Sequence, residues 1–425
     1  MTRHLSSKYP SAEYAPLQKL YYKSSSSGRD SMIKAEAHKR LTDMSSFRTG
    51  IEISSGELFL AMPRQLSLLS ERLLRAERRV SRLWRELPGI ARRAYVRGLI
   101  INEVVSTNEI EGVHGTRRQI EEVLESIQAP PSKYRQRKRF KELAGLYLEL
   151  TGKGRITPET PGDVRKIYDT VVAGELEASQ LPDGHLFRKE PVDVVDQTGK
   201  VIHKGVAPET KITTMLEQMI ALVGATDIPP TLSAIIAHFL FEYIHPFYDG
   251  NGRIGRCLLA LHLSEPLSLA TVLSLSTVIA DNKRKYYQAF EVTEASLNHA
   301  EATFFVIQMM EFIRLAQDSV IEELESKAIL LERAQGLLED FRKAPYALSS
   351  KELNVLFQAV QHFLFGAFEE ISLCDVVRHL KVGAQTARKY TRVLEEKGLL
   401  EQVSVRPLRF KLTSEAVSAF DIAVG

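Results

Sequence analysis

Apolar residues recur at helical intervals along most of this chain. Leu66, Leu69, Leu73, Val80 and Trp84 are spaced this way among many arginines and glutamates, which predicts a helix over residues 65–86 that Pro88 ends. A second helix is expected from about residue 90 through LIINEVVSTNEIEG, stopping near Gly112, and a third over TRRQIEEVLESI directly after it. Residues 129–139, APPSKYRQRKR, read as a basic linker whose cations are either solvated or set against an acidic partner. FKELAGLYLEL then resumes helix. Further helical periods cover 211–223, 231–244, 253–263 and 283–292, and residues 301–341 read as a long connecting helix or helix pair. Period-two signals are few. ELFLAMP at 57–63 reads as a short strand, and VDVV and KVIHK flank Asp196-Gln197-Thr198-Gly199 as the arms of a hairpin. The polar start and YYKSSSSGRD at 21–30 carry no period and read as flexible.

Residues 371–412 change character. They read as helix, tight turn at 381–383, helix, Gly398, then two short strands around Arg406-Pro407, the order of a winged helix-turn-helix. The second helix, 384–396, would expose Gln385, Thr386, Arg388, Lys389 and Arg392. Arginine and glutamine suit base edges, lysine suits phosphates, and Arg406 and Arg409 on the wing could reach a nucleic-acid backbone. Glu395, Glu396 and Glu401 stand among these cations. Winged helices also serve as protein-interaction and dimer modules, so DNA binding and a homodimer contact both stay open.

Composition narrows the class. The 425 residues, 44% hydrophobic and 26% charged, describe globular protein with a sizeable core, in two to four domains at ~100–200 residues each. A net charge of +3 is too small to imply a polyanion partner by itself. Two cysteines, Cys257 and Cys374, lie in different regions, which is neither a disulfide framework nor a zinc pattern and fits a reducing, cytoplasmic setting. The opening residues lack the apolar run of a signal peptide, and no apolar run reaches the ~18 residues that span a bilayer, so no membrane partner is expected.

The chemistry gathers in HPFYDGNGRIGR, residues 245–256. The helix before it opens at Pro229-Pro230-Thr231, carries Leu232, Ile235, Ile236, Phe239, Leu240 and Tyr243 on one apolar face, and delivers His245 at its end, where Pro246 stops it. His238, two turns earlier on nearly the same face, reads as a core histidine. In Asp249-Gly250-Asn251-Gly252 the glycines permit positive φ and close backbone approach, and successive N–H groups can form an anion nest. Arg253 opens the next helix, and Arg253 and Arg256, three apart, can face one anion. This suits a phosphate chain. Asp249 would repel that chain unless a cation lay between them, as Mg²⁺ does when one or two carboxylates and phosphate oxygens hold it. His245 then stands where a base is needed to take the proton of an incoming hydroxyl. The physical reading is metal-assisted transfer of part of a nucleotide to a hydroxyl. No P-loop pattern is present, and LTGKGR at 150–155 reads as a loop.

At these residues the chain resembles a known family. His245-x-Phe247-x-Asp249-Gly250-Asn251-Gly252-Arg253-x-x-Arg256 matches every fixed position of the Fic motif, HxFx[DE]GNGRxxR. The hairpin at 191–205 sits where Fic proteins carry a flap, NKRKYYQAF at 282–290 looks like their closing helix, and the likeness covers roughly 90–312. The resemblance implies a mainly α fold: a Fic-type helical core with a β-hairpin flap, here joined to a C-terminal winged helix-turn-helix. The expected organisation is an N-terminal region at 1–89, a catalytic domain at 90–312, a connecting helix at 313–345 and the winged domain at 346–425. It implies AMP transfer from ATP, with Mg²⁺, to a Ser, Thr or Tyr hydroxyl of a target protein or of the chain itself. Carried over by position, His245 is the general base and Asp249 the metal ligand. Gly250, Asn251, Gly252 and Arg253 form the anion hole, Arg256 binds the γ-phosphate, and Phe247 anchors the loop. Gly205 and Val206 border the ATP site, and Tyr286 or Tyr287 either lines the nucleoside pocket or packs.

Upstream, Thr107-x-x-x-Glu111-Gly112 resembles the [ST]xxxE[GN] inhibitory motif, whose glutamate pairs with the last arginine of the active loop. By residues alone it also reads as a helix end with Gly112 at C′, although a glutamate there opposes the helix dipole. The implied function is an autoinhibited protein adenylyltransferase. A nucleotide-sensing transcriptional regulator and an enzyme that removes AMP at the same site, with Glu111 positioning water, are the alternatives. The intact His245 and Asp249 favour the first, since a sensor needs no base.

Overall fold

The computed structural model describes residues 14–24, 28–128, 140–152, 157–172, 176–195, 199 and 201–423. The fold is mainly α, with two two-stranded sheets and one three-stranded sheet among these residues. The 129–139 linker, most of the 196–199 turn and residues 153–155 lie outside the described residues.

The Arg64–Glu86 helix buries Leu66, Leu69, Leu73 and Val80 along the 35-residue Thr303–Leu337 helix, as its apolar spacing requires. Arg79 forks onto Glu325 across that seam, at 2.7 Å from each nitrogen. The long helix is one continuous rod, and its first turns put Phe305, Val306, Met309 and Phe312 into the same core that holds the motif loop. The Gly89–Ile110 helix is largely buried, against Leu275–Asp281 and against Ser350–Phe365, with Arg93 and Glu109 exposed. The Pro230–Ile244 helix is buried at 12 of its 15 residues, so the single apolar face expected from sequence widens to the whole circumference. It packs between Glu209–Val223 and Asn251–Leu263.

The expected hairpin is Asp193–Val195 paired antiparallel with Val201–Lys204, with Val194 opposite His203. The strand read at 57–63 is Gly56–Leu60, and its partner Phe47–Ile53 was missed because Gly50 and a bulge interrupt its alternation. Two helices, Leu17–Lys23 and Arg29–Leu41, correct the flexible reading of 21–30 on either side of 25–27, which lie outside the described residues. Their order comes from distant partners. Leu17 packs on Ile33 and Ala37, and buried Glu301 accepts from Arg40 at 2.9 Å and from Tyr14 at 2.5 Å.

Toward the C-terminus, Leu373–Leu380 starts at a Ser372–Asp375 capping box and ends at Lys381 in the left-handed region. Ala384–Glu396 follows, then strands Leu400–Val405 and Leu408–Leu412, the latter central between the former and Glu370–Ser372. Arg118 forks onto Glu370 at 2.9 and 2.8 Å, which ties these elements to the helix after Gly112. Among the described residues, no helix is long and apolar enough to cross a membrane.

Candidate active site

The Pro230–Ile244 helix ends on His245, whose φ of 51° and ψ of 61° turn the chain sharply into the loop. The ring Nδ1 lies 3.3 Å from the carbonyl of Glu242, which can only accept, so Nδ1 carries the proton and the Nε2 lone pair is the basic one. Burial pushes the imidazole down to about 4, and the nearby His203 and Arg188 act in the same direction. His245 is therefore neutral at pH 7 and able to accept a proton.

The loop after it is held from inside. Phe247 is fully buried and stacks on Tyr168 at 3.7 Å and 13°, with Phe187 at 5.6 Å. The Asn251 amide closes the turn, accepting from Phe247 N at 3.0 Å and donating to Phe247 O at 2.8 Å. Its side chain thus braces the loop, and only its backbone is left for an anion. Gly250 has φ of 85°, where a side chain is strained, and a Cβ there would also crowd Val172 at 3.1 Å. The Asn251–Leu263 helix starts at this point, so its first N–H groups and buried Arg253 surround the loop.

Asp249 is half-buried, with one oxygen accepting from Gln180 Nε2 at 2.9 Å and the other from the N–H of Gly250. Among the described residues, no group of three or more His, Cys, Asp or Glu could hold a metal. One carboxylate beside a phosphate cradle fits a Mg²⁺ held largely by its nucleotide, and does not fit a metal caged by protein alone.

Arg256 is buried in a set of partners from one helix. Its Nε donates to Thr107 Oγ1 at 2.9 Å and its Nη2 to Thr107 O at 2.7 Å, and Nη2 lies 2.8 Å from Glu111 Oε1. Glu111 caps the Gly89–Ile110 helix and Gly112 follows in the left-handed region, so the helix-end reading and the pairing reading describe the same residues. The guanidinium also compensates the misfit of a carboxylate at a helix C-terminus. A Cβ on Gly252 would collide with the Glu111 carboxylate, so that glycine makes room for the contact.

Two buried acids near Arg256 were not singled out by sequence reading. Glu103, one turn before Thr107, accepts from Ser276 through its hydroxyl and its N–H, and from Tyr147 at 3.1 Å; burial raises it to about 7. Glu242 is pushed up to about 8 by burial, and its Oε1 has no hydrogen-bond partner. Gly255 leaves space for it, since a Cβ there would overlap that oxygen.

The flap is fastened to the end of the catalytic helix. Val206 N donates to Ile244 O at 3.0 Å, and Gly205 N to Val192 O at 2.9 Å. His203 lies 2.6 Å from Glu294 Oε2 through Nδ1 and 2.7 Å from Tyr243 O through Nε2. Both neighbours are acceptors, so the ring donates from both nitrogens as an imidazolium. Burial opposes that charge, but the Glu294 carboxylate outweighs it and the net shift is upward.

The remaining candidates sit as follows. Tyr286 is a core residue, buried with its hydroxyl 2.8 Å from His238 Nε2 and its ring against Phe290. Burial lowers His238 to about 3, and its Nδ1 meets Gly255 O at 3.1 Å. Tyr287 is exposed beside it. Gly205 and Val206 act through backbone bonds to the flap and helix end, and the Val206 side chain is buried. In the C-terminal elements Gln385, Arg388, Lys389 and Arg392 are exposed as expected, with Arg392 3.0 Å from Glu396. Arg409 is not a surface contact: it is buried and paired with Glu125 at 2.8 Å and Glu370 at 3.2 Å, because it sits on the central strand.

This loop, flap and helix pair bring together the residues of the motif read from the sequence. Residues 158–263 match the model of the Fic/DOC family. A probable protein adenylyltransferase of Aquifex aeolicus (strain VF5) is 46% identical over 61 residues, which span 14% of this chain and 17% of that protein. Among solved structures, a Fic family protein from Desulfovibrio desulfuricans G20 is 18% identical with a TM-score of 0.49, covering 83% of this chain and 97% of that one. Fic-1 from C. elegans is 21% identical with a TM-score of 0.42, covering 61% and 74%.

Proposed function

We propose that this protein is an autoinhibited protein adenylyltransferase, moving AMP from ATP onto a hydroxyl of a target protein or of itself. The observation that carries the proposal is the neutral His245, with Nδ1 committed to Glu242 O and Nε2 basic, at the mouth of a glycine-rich anion nest. The phosphates of ATP lie on the N–H groups of Gly250 to Arg253, with the Arg253 guanidinium beside them. Asp249 would hold a Mg²⁺ that would offset charge on the phosphates. His245 takes the hydroxyl proton, the oxygen bonds to the α-phosphorus, and the bond to the β-phosphate oxygen breaks, releasing pyrophosphate. The edge of the flap hairpin supplies main-chain pairing for the target segment. Arg256 binds the γ-phosphate, and Glu111 opposes this by holding the same guanidinium. Incubation with ATP labelled at the α-phosphate, followed by intact mass, tests the reading. A gain of one AMP on a target or on the chain supports it, and labelled product confined to free nucleotide overturns it. Release of AMP from a previously modified target would instead favour AMP removal at the same site.

A second reading concerns the C-terminal elements. The exposed row Gln385, Arg388, Lys389 and Arg392 on one helix, with Arg406 exposed on the wing, favours DNA. Binding to duplex DNA that weakens steeply with salt, and that Arg388→Ala reduces, is the expected result. A salt-insensitive self-association would favour the homodimer instead.

A further inference from the structure

A buried cation outside both motifs joins the flap to the helix that carries His245. Arg188 is fully buried. Its Nε donates to His245 O at 2.8 Å, its Nη1 to Glu190 O at 2.7 Å, and its Nη2 to Val206 O at 2.8 Å with Ile244 O at 3.4 Å. Its own N–H donates to Pro246 O at 3.3 Å. With His203 on Tyr243 O and Val206 N on Ile244 O, four consecutive carbonyls, 243 to 246, accept from the segment 188–206. The first three, 243 to 245, are carbonyls that a helix end leaves without internal partners, and two cations from the flap region serve them at the negative end of the dipole. Burial draws the Arg188 pKa down, yet a guanidinium keeps its charge at this depth.

Gly205 is part of the same device. Its φ lies outside the left-handed region, so conformation does not require a glycine. Space does. A Cβ there would collide with Arg188 Nη2, and would lie 2.9 Å from Val192 Cγ1 and 3.1 Å from His245 Cβ.

We propose that Arg188 is a positioning residue that locks His245 and both ends of the flap hairpin into one rigid unit. A target segment paired on the flap brings its hydroxyl to a place set by the flap, whereas Nε2 of His245 lies where the helix end puts it. Only when both share one frame does the hydroxyl meet the base, and small misplacements cost orders of magnitude in rate. A lysine would keep the charge but present all its donors from a single nitrogen, so it could not span carbonyls on both sides. The kinetic consequence rests on the adenylyl-transfer reading; the coupling of flap to helix does not.

The test uses full-length Glu111→Gly protein as parent, with Arg188→Lys and, separately, Gly205→Ala, which leaves the guanidinium but denies it its place. Each should lower kcat for a protein target ~10- to 100-fold while KM for ATP stays within about threefold. Hydrogen exchange should rise together in 190–206 and 241–248 and stay unchanged elsewhere, whereas mere loss of stability would raise it throughout. An unchanged kcat, a general rise in exchange, or a rise in only one of the two segments would overturn the proposal. If the parent transfers no AMP, the adenylyl-transfer reading fails by itself, and the paired exchange response alone decides the coupling.

Discussion

Glu111 Oε1 lies 2.8 Å from Nη2 of Arg256, and Thr107 holds the same guanidinium through its hydroxyl at 2.9 Å and its carbonyl at 2.7 Å. The helix bearing both residues is largely buried, and Glu103 anchors it further to Ser276 and Tyr147. On the proposed autoinhibited reading, relief would need only the Glu111 side chain to leave, with the helix in place. Glu111→Gly should raise self- or target-AMPylation at least ~10-fold, equivalent to about 1.4 kcal/mol of transition-state free energy. Mass spectrometry reads the product, and circular dichroism should show the fold unchanged. Activity no higher than the parent's would leave Glu111 as a helix cap only.

His245→Ala removes the proton acceptor but none of the nest. Transfer should fall ~10²- to 10⁴-fold with ATP binding retained by calorimetry. The double variant with Glu111→Gly should be silent, which separates true activation from non-specific labelling.

Asp249 accepts from Gln180 and Gly250, so its carboxylate is oriented before any nucleotide arrives. Asp249→Ala should abolish the Mg²⁺ dependence of ATP binding and lower transfer by at least ~10²-fold. An Mg²⁺ titration superimposable on the parent's would remove the metal role from this residue.

Val194 faces His203 across the flap. Proline there cannot donate to a ladder, so Val194→Pro should weaken modification of protein targets more than it weakens ATP binding. Equal loss of both would make the hairpin part of the nucleotide site.

The His203–Glu294 pair should make flap anchoring depend on pH. The folded pKa of His203 is raised, so its stabilising effect is complete below the unfolded value of about 6.5 and is lost as pH rises through the folded value. The groups around it shift where this loss falls but not its direction. His245 is neutral above about 4, while Glu242, pushed up to about 8 by burial, gains its charge within the same window and, facing His203, prolongs the imidazolium rather than removing it. Thermal melts should place parent above His203→Gln at pH 6, with the gap narrowing toward pH 9. A constant gap would mean the ring is not charged in the fold.

The sequence by itself determined the helices with strong 3.6-residue periods and the whole of the 245–256 loop. Those residues are neighbours in the chain, and their chemistry follows from local geometry: a proline that stops a helix, a glycine at positive φ, an arginine opening the next helix. It also held the Thr107–Glu111 spacing, because two residues four apart share one helix face. Tertiary structure alone decided what depended on distant partners. Tyr286 was turned into the core by His238, and Arg409 was taken from the surface by Glu125 and Glu370. Arg188 and His203 carry no local signature, since an isolated cation before or within a short hairpin usually meets solvent. Their role exists only because the buried end of the Pro230–Ile244 helix leaves carbonyls that water cannot reach and the flap segment can.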